Sequence, residues 1–212
     1  MTVKGWIILI LTLMFADCTA FAGQQIGIYG LQSFTNQERI PSPSGVGAYV
    51  QKDLSDKFAL RFSVQKGFDT DSYVKTIRYG GIFSMPGDTI HDYWNQESSM
   101  SAYDVSVLFR PFAHGAVNLA IGAGLGFVSL DFSSVGRRSG YEMSDNAKFR
   151  MGFSALLDFE IVPINLSPLL FHVTIRERIA PDNRAYPTDG IYYLAGSISS
   201  AEVAFAVGLG LQ

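Results

Sequence analysis

The chain has 212 residues, 48% of them hydrophobic and 17% charged, with 16 Phe, 10 Tyr and 21 Gly. It is too apolar for disorder, poor in charge against the roughly 25% of ordinary domains, and rich in residues that suit strands and close backbone approach. The 16 Lys and Arg against 19 Asp and Glu leave a net charge of −3, which lacks the basic excess that nucleic-acid phosphates demand, so nucleic acid is not an expected partner.

The first 22 residues read as a signal peptide. Lys4 is followed by a ten-residue apolar run, WIILILTLMF at 6–15, and then by Ala20, Phe21 and Ala22 ahead of Gly23. A positive start, a short apolar stretch and a small-x-small cleavage site mark a secretory signal. A membrane-spanning helix needs about 20 apolar residues, and this run stops at Ala16 and Asp17. Cys18, the one cysteine, follows Asp17 rather than the small residue that would precede a lipid-modified cysteine. Two segments follow: 1–22 as signal, and 23–212 as an exported domain whose stability cannot come from disulfides.

Beyond the signal the dominant period is two, which predicts strands. The first two cover 25–34 and 45–53. The third carries Phe58, Leu60, Phe62 and Val64 on one face, and 73–83 continues it as a projecting hairpin. The fourth shows Tyr103, Val105, Val107 and Phe109, and the fifth Leu119, Ile121, Ala123, Leu125 and Phe127. The sixth, 148–162, alternates most cleanly, with Phe149, Met151, Phe153, Ala155, Leu157, Phe159 and Ile161 opposed to Arg150, Gly152, Ser154, Asp158 and Glu160. The seventh carries Leu169, Phe171, Val173 and Ile175, and the eighth, 201–211, carries Val203, Phe205, Val207, Leu209 and Leu211. Short connections at 54–57, 112–116 and 163–167 alternate with long ones at 35–44, 85–98, 133–146 and 180–197. In an up-and-down meander every long loop then falls at one rim and every short turn at the other.

The expected fold is therefore all-β, an eight-stranded antiparallel up-and-down transmembrane β-barrel after a cleaved signal peptide. Alternation alone does not separate it from a soluble barrel with an apolar interior. The polar faces decide, because Ala59, Arg61, Ser63 and Gln65, or Asn118, Ala120, Gly122, Gly124 and Gly126, are too small and too sparsely charged for a water-facing wall. They suit the crowded lumen of an eight-stranded barrel. With stretches such as 118–127 (NLAIGAGLGF) and 202–211 (EVAFAVGLGL), the chain resembles the small eight-stranded outer-membrane barrels of the OmpA/OmpX-like superfamily. The resemblance implies the outer membrane of a Gram-negative-type cell, a monomer in contact with outer-membrane lipid, and insertion by an assembly machinery with periplasmic chaperones. Such barrels usually end in an aromatic residue, whereas this chain ends in Gln212.

Charges fall on the inward phase: Arg61, Asp104, Arg150, Asp158, Glu160, His172, Arg176 and Glu202. Centring the last short turn near Asn165 sets Asp158 opposite His172 and Ser154 opposite Arg176. Buried charges persist only when paired, so these predict an ionic plug, with a narrow small-solute channel as the alternative. At the outer rim, Tyr93, Trp94, Arg137, Arg138, Tyr141, Tyr186, Tyr192 and Tyr193 are candidates for contact with an extracellular ligand of unidentified chemistry, or for a girdle at the lipid interface. His91 and His114 lack the spacing of zinc ligands, and the glycines at 122–126 lie within a strand rather than ahead of a helix. No metal, cofactor or catalytic residue is expected. The predicted role is non-enzymatic, in envelope integrity or surface interaction, with a lipid-modifying enzyme as the weaker rival.

Overall fold

The computed structural model describes residues 23–35, 43–78, 89–112, 116–137, 142–163, 166–180 and 198–211. The proposed signal segment 1–22 lies outside them. Eight strands are formed: β1 (Gln24–Thr35), β2 (Ser44–Asp53), β3 (Phe58–Arg78), β4 (Thr89–Phe112), β5 (Val117–Gly136), β6 (Glu142–Ile161), β7 (Leu169–Ala180) and β8 (Ile198–Leu211). Each pairs antiparallel with the next, and β8 returns to β1 from Gln24↔Leu211 to Thr35↔Ser200, closing the barrel. Closure pairs every strand of the ring on both sides, the condition for placing a sheet in hydrocarbon.

The two faces are inverted relative to a soluble protein. Along β7, His172, Thr174, Arg176 and Arg178 are buried while Phe171, Ile175 and Ile179 are exposed. Ile28 is 71% exposed and Phe205 65%, against 2% for Arg178 and 3% for Glu202. An apolar surface continuous around the cylinder would drive a soluble monomer to associate, but it matches a lipid-facing belt. Toward the long-loop rim polar residues enter the outward phase at Gln32, Ser44, Lys66, Ser101, Ser129 and Glu177, interspersed with exposed Phe34, Phe68 and Ile179. Ser44 pairs with Gln32, and Ser101 pairs with both Lys66 and Ser129.

Two expectations about length are corrected. The segments 85–98 and 133–146 are largely strand rather than loop, since β4 begins at Thr89, β5 continues to Gly136 and β6 begins at Glu142. β3 to β6 run 21, 24, 20 and 20 residues, about twice the 9–11 that cross a bilayer, whereas β2 and β7 have 10 and 12. Four strands thus continue beyond the belt as a wall on one side. Their alternation fades there because both faces leave hydrocarbon, so polar residues such as Asn95 and Gln96 occupy a strand whose hydropathy looks like a loop. The projecting hairpin exists, with β3 and β4 paired as far as Arg78 and Thr89, and residues 79–83 of the expected strand lie outside the described residues.

The register between β6 and β7 is also corrected. Asp158 faces Thr174, Glu160 faces His172, and Ser154 faces Arg178. The turn is centred at Leu166, one residue later than expected, which shifts the pairing by two. A shift of two exchanges partners without changing face.

Candidate functional site

Inside the belt, side chains pointing into the lumen form two polar clusters. Nearer the short-turn rim, Arg61 Nη2 lies 2.6 Å from Asp158 Oδ2, and Arg61 Nε donates to Gln51 Oε1 at 2.9 Å. Asp158 also accepts from Thr174 Oγ1 at 2.5 Å and meets His172 Nδ1 at 2.9 Å. The Asp158–His172 contact therefore forms diagonally rather than across the ladder. Glu160 accepts from Gln25 Nε2 and Asn118 Nδ2, each at 2.9 Å, with His172 Nε2 at 3.9 Å and Arg110 Nη2 at 3.8 Å. Arg110 also reaches Asp53 at 2.9 Å, at the rim itself.

The second cluster joins β3, β4, β7 and β8. Asp104 Oδ2 accepts from Arg178 Nη2 at 2.6 Å and Arg176 Nη1 at 3.3 Å. Arg178 Nη1 donates to Glu202, whose Oε1 also accepts from Gln65 Nε2 at 2.9 Å. Arg176 Nη1 lies 3.7 Å from Glu202 Oε2 and donates to Gln65 Oε1 at 3.2 Å. The guanidiniums of Arg61, Arg110, Arg176 and Arg178 are thus matched by the carboxylates of Asp104, Asp158, Glu160 and Glu202, all buried. Such matching, with hydrogen bonds on the remaining lone pairs, is what lets ions stay in a medium of low polarity.

Glycines on the wall make room for these side chains. Tyr29 and Gly47 face each other across β1 and β2, as do Gly27 and Tyr49. A Cβ at Gly27 would lie 2.5 Å from the Tyr49 ring, and one at Gly47 would strike the Tyr29 ring. Each tyrosine therefore lies flat over the opposing glycine. Tyr29 OH donates to Gln65 Oε1 at 3.3 Å, and the Tyr49 ring stands 5.4 Å from His172 and 4.9 Å from the Arg61 guanidinium. On β5, Gly126 faces Asp104, whose carboxylate occupies the space a side chain there would take.

One step further toward the long-loop rim, Met100, Ala102, Val128, Leu130 and Ala180 form a buried apolar group above the second cluster. This group comes from β4, β5 and β7, one inward step above Asp104 and Arg178.

Of the residues singled out from sequence, Arg61, Asp104, Asp158, Glu160, His172, Arg176 and Glu202 meet in these clusters. Arg150 is half-buried higher on β6, level with Val128. Sequence reasoning passed over Arg178 and Arg110, although the alternation through 172, 174 and 176 leads directly to Arg178. Of the rim candidates, Tyr93 is exposed on the outer face of β4 and Arg137 is exposed in the turn after β5. Trp94 is corrected: it is 1% exposed on the inward face of β4, because that segment is strand and the next residue in a strand points the opposite way. Arg138, Tyr141, Tyr186, Tyr192 and Tyr193 lie outside the described residues, as do His114, Asn165 and Gln212, and the side chain of His91 with them.

No family model matches the sequence. No curated protein is detectably similar in sequence. Solved structures share the fold. Neisserial surface protein A superposes with a TM-score of 0.55 at 10% identity, covering 89% of this chain and 97% of that one. The attachment invasion locus protein Ail of Yersinia pestis gives 0.50 at 13% identity, with 89% and 98% covered. The architecture is that of the small outer-membrane β-barrels.

Proposed function

We propose that the chain is an integral outer-membrane protein that is closed, non-enzymatic and scaffold-like, holding the β3–β6 wall outside the lipid for surface interaction. The observation that carries this reading is the ion-paired lumen inside an apolar belt. In favour of closure, the buried ions of the lumen are engaged with one another, and an apolar group from β4, β5 and β7 lies above the second cluster. The likeness in fold to two surface proteins of the outer membrane supports the location. His172, the titratable group most suited to catalysis, is 1% exposed between Asp158 and Glu160, which suits a packing role rather than attack on a lipid. Lipid around the belt, the assembly machinery with its chaperones, and an extracellular partner at the wall are the partners this reading entails.

Planar-bilayer recording tests it. Purified protein is expected to insert without stable openings, to shift in gel migration on heating, and to fractionate with the outer membrane. Large steady conductance overturns the closed barrel in favour of a channel. A change in outer-membrane lipid composition that depends on the protein and is abolished by His172→Ala overturns the non-enzymatic role.

A further inference from the structure

Two carboxylates at the short-turn rim share one guanidinium. Arg110 Nη2 lies 2.9 Å from Asp53 Oδ1 and 3.8 Å from Glu160 Oε2, while Arg61 is engaged by Asp158. The other oxygen of Asp53 lies against Gly23, the residue just ahead of β1. Gly23 has φ +80°, and its carbonyl accepts from Asp53 N at 2.8 Å. A Cβ built there would stand 3.1 Å from Asp53 Cβ and 3.5 Å from Oδ2. The left-handed backbone and this close approach both favour glycine. Asp53 is thus folded over the Gly23 Cα, and the nitrogen on that carbon sits beside the carboxylate. In the sequence Gly23 directly follows Ala20, Phe21 and Ala22, the small-x-small pattern of a signal cleavage site.

We propose that hydrolysis of the Ala22–Gly23 bond makes Gly23 the first residue of the mature chain, and that its new α-ammonium pairs with Asp53. Under a signal-processing peptidase, one water adds across the amide and the C–N bond breaks. The water oxygen stays on the Ala22 carbonyl as a carboxylate, and both water protons pass to the Gly23 nitrogen, which becomes an ammonium. That ammonium is a second cation for a rim where Arg110 alone spans Asp53 and Glu160. It fastens the start of β1 to the end of β2, beside the seam where Gln24 meets Leu211 and the ring closes. With the leader attached the same nitrogen is an uncharged amide, so the ion pair belongs to the mature chain alone. The inference rests on export of the chain and is independent of whether its lumen conducts.

The full chain, expressed with its leader in a Gram-negative-type host and purified from the envelope, is expected to have the intact mass of residues 23–212. A mass that retains 1–22, or that begins at another residue, overturns the proposal. Acetic anhydride at neutral pH then reports the pairing, because only the unprotonated amine is acylated, and mass spectrometry of the N-terminal peptide separates it from the lysines. In the folded wild type the Gly23 amine is expected to react about threefold more slowly than in Asp53→Asn, a factor in the range of a partly exposed ion pair. Insertion of one alanine between Ala22 and Gly23 leaves the cleavage pattern and Asp53 intact but moves the ammonium one residue away, and should raise the rate by the same factor. Heat-dependent gel migration shows that each protein is folded. A wild-type rate equal to that of the insertion variant overturns the ion pair even where Asp53→Asn fails to fold.

Discussion

Asp104 shows how the lumen is held at the scale of single residues. It accepts from both Arg176 and Arg178 and is 2% exposed, so its removal leaves two guanidiniums short of a counter-charge. Breaking a buried pair by deleting one partner costs about 3–5 kcal/mol, and Asp104→Ala is expected to lose that much in urea unfolding from lipid vesicles. Asp104→Ala with Arg178→Ala should lose less than the sum of the single variants, because the charges leave together. The tyrosine and glycine pairs make a second, steric case. Gly27→Ala places a methyl against the Tyr49 ring and is expected to cost about 1–3 kcal/mol, the range of overpacking. The same substitution made in a Tyr49→Ala background should cost less but not nothing, because the Val207 carbonyl oxygen also lies 2.7 Å from that methyl, and an unchanged cost would show that the carbonyl rather than the ring sets it. At this scale the sequence was informative about face and uninformative about partner. Period two located Asp158 and His172 in the lumen, but which carboxylate meets which cation depends on where the 162–168 connection turns, and hydropathy does not record that.

Strands were legible where lipid reads them. Between the two rims each outward position must be apolar, so the eight segments announced themselves. Beyond Lys66, Ser101 and Ser129 that demand lapses, and the extensions of β3 to β6 are fixed instead by backbone pairing such as Thr70↔Glu97 and Gln96↔Ser134, which leaves no hydropathy pattern. Trp94 was misplaced for that reason. The same boundary gives an element-scale prediction for β5. A cation on the lipid face costs about 2–4 kcal/mol near the bilayer midplane and about 0–1 near an interface. Ile121, 51% exposed in the middle of the outward run from Val117 to Phe127, is expected to show the larger loss on Ile121→Arg, and Ser129→Arg the smaller. Folding titrations in vesicles measure both. Equal costs would mean that the belt does not end between Phe127 and Ser129.

For the whole molecule, the closed lumen proposed above stacks an ionic cluster beneath an apolar group, and neither alone is then expected to determine closure. Arg178 and Asp104 sit one inward step below Ala180 and Ala102, so on the proposed reading a gap opened among the ions is still covered by Met100, Val128 and Leu130. Conversely, Met100→Ala with Leu130→Ala creates space over a cluster in which Arg176 and Arg178 still bridge Asp104 to Glu202. Removing apolar volume costs about 2–5 kcal/mol for each large side chain, which weakens the barrel without giving water a polar route through it. In planar bilayers, Asp104→Ala/Arg178→Ala and Met100→Ala/Leu130→Ala are each expected to remain silent, and the fourfold variant to show discrete openings. Conductance in the apolar variant alone would mean that the ionic cluster is permeable as it stands. Conductance in the charge variant alone would mean that Met100 and Leu130 do not seal the lumen. Silence of the fourfold variant, with its gel shift intact, would move the principal barrier down to Arg61, Asp158 and His172, whose contacts none of these substitutions touches.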